Sequence, residues 1–166
     1  MRIVVMVLGC LALVSSSRLL RAQGTAHLPA VTVQTLTGQS ISTETWQTGK
    51  GPVIVSFWAT WCRPCMQELN AIQALYGDMQ ARTGVTLYAV SIDDPREASR
   101  ISTLAASKGW TYNLVIDHST QLKRQMGVVN IPHTFLINQA GEIVYQYNTY
   151  EPGKEQELYQ QLLRLP

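Results

Sequence analysis

Two cysteines stand three positions apart in the stretch "FWATWCRPC", residues 57 to 65. A thiol pair at this spacing can cycle between dithiol and disulfide, hold half of a metal site, or staple the chain. As a staple it is weak, because closing a four-residue loop is worth about 2 kcal/mol, against more than about 4 for a loop of a hundred residues. A structural zinc site needs four ligands. The side chains available to join Cys62 and Cys65 are His27, His118, His133 and scattered carboxylates, and there is no second C-x-x-C. The third cysteine, Cys10, lies in an apolar N-terminal run. Spacing alone therefore ranks redox chemistry first, metal binding second and a staple third.

The elements around the pair must place it. "PVIVSFWA" is a continuous apolar run of strand length, as expected of a strand buried on both faces. It leads straight into the cysteines. Beyond them Cys65, Leu69, Ile72 and Tyr76 recur at helical spacing, with Pro64 in the first turn and Gly77 as the expected stop. Cys62 then falls at the N-cap, where unpaired backbone N–H groups and the positive end of the helix dipole favour a thiolate. The dipole alone is worth less than one pKa unit, so amide hydrogen bonds must add to it. Arg63, between the thiols, would lower the Cys62 pKa further.

Elsewhere "VTVQTLTGQSIST" alternates as a hairpin, and "TLYAVSID" and "NLVID" read as further strands. A helix opened by Pro95 lies between these two strands, with Ala98, Ile101, Leu104 and Ala105 on one face. A short amphipathic segment at 120–126 precedes "IPHTFLIN", which should pair with "IVYQY" across Gly141. "GKEQELYQQLLRL" closes the chain as a helix. This order predicts an α/β sandwich around one mixed sheet.

The first 24 residues read as a secretory signal: Arg2, an apolar run from Ile3 to Val14, then Ser15 to Ser17 and small residues at Ala22 and Gly24. Twelve residues of helix reach about 18 Å, short of a hydrocarbon core of about 30 Å. Arg18 and Arg21 behind the run keep an uncleaved anchor as the alternative. Lipidation at Cys10 is a poorer fit, because the apolar run continues past it. Without Arg2, Arg18 and Arg21 the chain has ten basic and eleven acidic residues, a balance that excludes nucleic acid as an expected partner. Residues 25–166 make one domain, long enough to bury a core without disulfides.

The residues "FWATWCRPC" together with "NIPHTFLI" resemble the thioredoxin superfamily, and within it the secreted TlpA/ResA-type thiol-disulfide oxidoreductases. The resemblance spans roughly residues 28 to 164. It implies a thioredoxin-like three-layer sandwich with a mixed central sheet, an N-terminal β-hairpin extension and a strand-helix insertion at about 86–116. It further implies Cys62 as nucleophile, Cys65 as buried resolving thiol, and Glu68 as the acidic residue of the C-x-x-C-x-x-E pattern that tunes thiol acidity. Pro132 matches the family's cis-proline, and the backbone of Ile131 would pair with a substrate strand. Trp61, Arg63, Pro64, Ile131 and Pro132 are thus the implied substrate-binding residues.

One departure matters. Where ordinary thioredoxins carry a buried aspartate in the strand before the motif, this chain has Ser56, so Glu68 or water must assist proton transfer. Trp58 and Trp61 are expected to form an apolar floor around the disulfide, and His133 to be a partly exposed rim residue. The implied function is reduction of disulfides in exported proteins, in the periplasm, with electrons from a membrane or secreted thiol donor. Cytochrome c maturation is one setting for such a reductase. No cofactor beyond the Cys62–Cys65 disulfide and no metal is expected, and the domain should act as a monomer. The different-class alternative is a copper-handling module using Cys62, Cys65 and His133, since thiolates suit Cu(I). A peroxidase reading would need a threonine and a proline where Ala59 and Val55 stand.

Overall fold

The computed structural model describes residues 26–47 and 51–166. The expected leader, residues 1–24, lies outside them. Seven strands form a single mixed sheet: β1 (Thr32–Thr35), β2 (Ser40–Ser42), β3 (Val53–Trp58), β4 (Thr86–Ser91), β5 (Asn113–Ile116), β6 (His133–Ile137) and β7 (Ile143–Tyr147). Their order is β2-β1-β5-β4-β3-β6-β7. The central strand β3 pairs parallel with β4 and antiparallel with β6, and every one of its residues is buried. That double burial is why its sequence is continuously apolar rather than alternating.

Among the described residues four α-helices accompany the sheet: α1 (Arg63–Thr83), α2 (Ala98–Lys108), α3 (Gln121–Gln125) and α4 (Lys154–Leu163). Leu69 and Ile72 of α1, Ile101 of α2 and Leu158 of α4 pack with Ile54, Leu87 and Leu136 on one face of the sheet. On the other face Leu28, Val31, Trp46 and Leu122 of α3 cover Val53, Val55, Phe57 and Phe135. Two apolar layers on one sheet give the three-layer sandwich expected from the element order. The N-terminal hairpin extends the sheet through β1 against β5, and segment 86–116 supplies β4, α2 and β5.

Two boundaries differ from the sequence reading. The first long helix does not stop at Gly77 but runs to Thr83, capped by Gly84 in the left-handed region at φ 68°. A mid-helix glycine costs about 1 kcal/mol, which burial of Tyr76 and Met79 on either side of it outweighs. Pro95 opens a 3-10 turn, Pro95–Glu97, with α2 starting one residue later.

Among the described residues no helix is long and apolar enough to cross a membrane.

Candidate active site around the Cys62–Cys65 disulfide

The sheet delivers the cysteines at the C-terminal end of β3. After Trp58 the chain makes one tight turn, closed by the Cys62 N–H donating to the Ala59 carbonyl at 3.0 Å. Cys62 is the N-cap of α1, with extended φ and ψ of −89° and 95°, and its Sγ accepts from the Cys65 N–H at 3.3 Å. Pro64 stands in the first turn, where its missing N–H costs no helical bond. Cys62 and Cys65 are joined as a disulfide with Cα atoms 5.3 Å apart. The sulfur of Cys62 therefore lies against the helix-start dipole, and α1 has no acidic residue in its first turn to oppose that field.

Access is uneven. Cys62 is 5% exposed and Cys65 fully buried, whereas Trp61 beside them is 68% exposed. Arg63 and Pro64 are also exposed. Of the expected tryptophan floor, Trp58 is buried edge-on to Trp110 with centroids 5.2 Å apart, and Trp61 projects outward instead. The Ile131–Pro132 peptide is cis. Ile131 packs against the cluster that holds both cysteines. Pro132 is buried and precedes His133, the register partner of Phe57, which puts it level with the end of β3.

Upon reduction, Cys62 is expected to react with an alkylating agent at least about tenfold faster than Cys65, because it combines access with the helix-terminal field. Mass spectrometry of partly alkylated chains at neutral pH measures the ratio, and equal rates would remove the assignment of Cys62 as nucleophile.

Glu68 lies one turn beyond Cys65 and is wholly buried. Ser56 and Thr134 are register partners on β3 and β6 and present their hydroxyls to the same face. Thr134 Oγ1 donates to Glu68 Oε1 at 2.6 Å, and Ser56 Oγ reaches Oε2 at 3.5 Å. The Tyr147 hydroxyl faces this carboxyl from β7 without completing a well-formed hydrogen bond. Burial pushes the Glu68 carboxyl up to about 7, against the opposing pull of the Thr134, Tyr147 and Ser56 hydroxyls. The Glu68 carboxyl thus reaches the Ser56 hydroxyl from the helix side. Nothing in the sequence marks Thr134 and Tyr147 as neighbours of Glu68, since only the sheet register brings them to it.

His133 corrects the sequence reading. It is not a partly exposed rim residue but only 9% exposed, stacked on Phe135 at 4.2 Å with Nε2 bonded to Gln146 at 3.1 Å. Burial lowers its pKa, with the Gln146 bond opposing. Alternation along β6 turns it to the sheet face opposite Thr134 and Glu68. Among the described residues no group of three or more His, Cys, Asp or Glu is placed to hold a metal. The copper site of Cys62, Cys65 and His133 is unsupported. The positions a peroxidase pattern would fill, Val55 and Ala59, are apolar and buried.

A groove of about 560 Å³ opens on the flank of the active-site turn. Thr60 and Met66, which bracket the cysteines in sequence, form one wall, and Ser99, Arg100, Thr103 and Leu104 of α2 form the other.

A thioredoxin-like sheet with a C-x-x-C disulfide at the start of its first long helix defines the class of the protein: a thioredoxin-fold dithiol-disulfide domain. The AhpC/TSA family pattern matches residues 25–146, and the chain belongs to that family. The chain is 37% identical over 95 residues to thiol-disulfide oxidoreductase ResA of Geobacillus thermodenitrificans, covering 57% of this chain and 52% of that protein. It is 31% identical over 129 residues to sporulation thiol-disulfide oxidoreductase A of Bacillus subtilis, covering 74% of each. The solution structure of an uncharacterized thioredoxin-like protein from Porphyromonas gingivalis superposes with a TM-score of 0.73 at 40% identity, covering 83% of this chain and 90% of that one. For the ResA proteins of the two Geobacillus species, the match spans about half of their length, 52%.

Proposed function

We propose that this chain is a thiol-disulfide oxidoreductase that reduces disulfides of exported proteins. The observation that carries the proposal is the Cys62–Cys65 disulfide at the α1 N-terminus with a buried Glu68 one turn below. The Cys62 thiolate attacks one sulfur of the substrate disulfide, forming a mixed disulfide and expelling a substrate thiolate that takes up a proton. The Cys65 thiolate then attacks the Cys62 sulfur, releases the second substrate thiolate and closes the protein disulfide. Two electrons pass to the substrate, and a thiol donor must return them.

Cys62 and Cys65 carry the exchange, and Glu68 manages the proton of Cys65. Trp61, Arg63, Pro64, Ile131 and Pro132 receive the substrate chain, whose flank the groove along α2 accommodates. The reaction needs no cofactor beyond the disulfide. The domain works as a monomer, exported behind residues 1–24 to the periplasm, where a membrane or secreted donor keeps it reduced and apocytochrome disulfides are among its substrates.

The test is reduction of a model protein disulfide by the purified chain with a thiol donor, together with its equilibrium potential against glutathione. Turnover and a potential near or below about −200 mV fit a reductase, whereas a value near −120 mV would mark an oxidant. Stoichiometric Cu(I) binding without turnover would overturn the assignment.

A further inference from the structure

Asp93 is a buried carboxylate, 7% exposed, just beyond the end of β4, and the exchange steps do not use it. A carboxylate so buried is costly unless its oxygens accept hydrogen bonds. Here the donors come from two residues. The Thr60 N–H donates to Oδ2 at 2.8 Å and the Thr60 hydroxyl to Oδ1 at 3.0 Å. The Ser91 hydroxyl donates to Oδ2 at 2.7 Å, while Ser91 Oγ accepts from the Asp93 N–H at 3.0 Å. Thr60, itself 7% exposed, sits two residues before Cys62 inside the Ala59–Cys62 turn. The Ile92 N–H also donates to the Trp58 carbonyl at 3.0 Å, so the extension of β4 runs beside the point where the turn leaves β3.

We propose that Asp93 is a positioning residue for the redox pair: it clamps the Ala59–Cys62 turn to the end of β4 and so holds the Cys62 sulfur on the α1 N-terminus when the disulfide is open. The inference rests on the reading of Cys62 as nucleophile. In the disulfide form the turn is held twice, by the sulfur–sulfur bond and by Asp93. In the dithiol form the covalent tie is gone, and the Asp93 clamp remains. Its loss therefore costs the dithiol form more than the disulfide form. Removing the clamp would also strand the Thr60 N–H as a buried donor without a partner. The charge of Asp93 acts in the opposite sense, since an anion near a thiolate disfavours it. A clamp and a mere negative charge thus predict shifts of opposite sign.

Three substitutions separate them. Asp93→Ala removes clamp and charge together. Asp93→Asn keeps an acceptor for the Thr60 N–H but drops the charge, and Thr60→Val removes the hydroxyl bond alone. The readouts are the Cys62 alkylation rate at neutral pH and the equilibrium of dithiol plus oxidised glutathione with protein disulfide plus two reduced glutathiones. Asp93→Ala is expected to slow alkylation about tenfold and to move the equilibrium about tenfold toward the protein disulfide, a potential about 30 mV lower. Thr60→Val should move both readouts the same way by about two- to threefold, and it carries the test if Asp93→Ala does not fold; Asp93→Asn, which keeps the clamp and drops the charge, should leave both readouts within about twofold of the parent's or move them the opposite way. For Asp93→Ala or Thr60→Val, faster alkylation, or rates and equilibrium equal to the parent's in chains with parental near-ultraviolet dichroism, would overturn the clamp, and so would an Asp93→Asn chain slowed as much as Asp93→Ala. The parent chain, run alongside, distinguishes the two failures: equal reactivity of its own Cys62 and Cys65 would remove the nucleophile assignment instead.

Discussion

Replacing Cys65 with serine is expected to abolish disulfide turnover, by at least about a thousandfold, and to leave substrate proteins covalently joined to Cys62. The first exchange needs one thiolate, and Cys62 retains its place on the helix N-terminus in this variant. The second needs a thiol one turn deeper. Serine fills that position with little change of volume, but its hydroxyl does not displace a thiolate from a disulfide. The intermediate therefore accumulates, and non-reducing electrophoresis followed by mass spectrometry would identify the trapped partners. Cys62→Ser removes the attacking sulfur, so it should lose turnover equally and trap nothing. Undiminished turnover in the Cys65 variant, or adducts forming through Cys65 in the Cys62 variant, would reverse the roles assigned to the two thiols.

The second large effect concerns Glu68 and has a definite sign. Burial raises its carboxyl from 4.5 to about 7 in the disulfide form. Between those values the folded chain holds a proton that the unfolded chain has released. A raised carboxyl pKa means that the contribution to stability is fully present below about pH 4.5 and is lost as pH rises through about 7. The shift corresponds to on the order of 3 kcal/mol between the two limits. Glu68→Gln keeps an acceptor for the Thr134 hydroxyl and has no proton to lose. From pH 5 to about 7, where the effect levels off, the oxidised parent should lose stability to urea relative to the variant by about that amount, the contribution of His133 being common to both chains. Parallel stability curves would sink the idea of a buried, proton-holding carboxyl. The same substitution is expected to displace the pH profile of disulfide exchange, not only its scale, because an ionised Glu68 opposes thiolate formation and a protonated one can donate to it.

How much of this was legible in the chain divides along the range of the interactions involved. The placement of Cys62 at a helix N-cap followed from residues 53 to 76, because strand burial, capping and helical periodicity are set by neighbours a few positions away. Gly77 reads as a helix stop from its neighbours alone, yet α1 continues to Thr83 because Met79 beyond it is buried. His133 was expected at a rim, but its ring stacks on Phe135 on the far face of the sheet.

From the chain alone redox chemistry ranks first: a lone C-x-x-C behind a doubly buried strand, with no second C-x-x-C to complete a structural zinc site. The surroundings of the Glu68 carboxyl come from the pairing of strands. Ser56, Glu68, Thr134 and Tyr147 meet because β3, β6 and β7 pair in one register, and a slip of one residue would turn Thr134 to the other face. Asp93 meets Thr60 because parallel β3 and β4 end at the same level. Register is a property of paired strands, fixed by packing across the whole sheet, and no short window of sequence contains it.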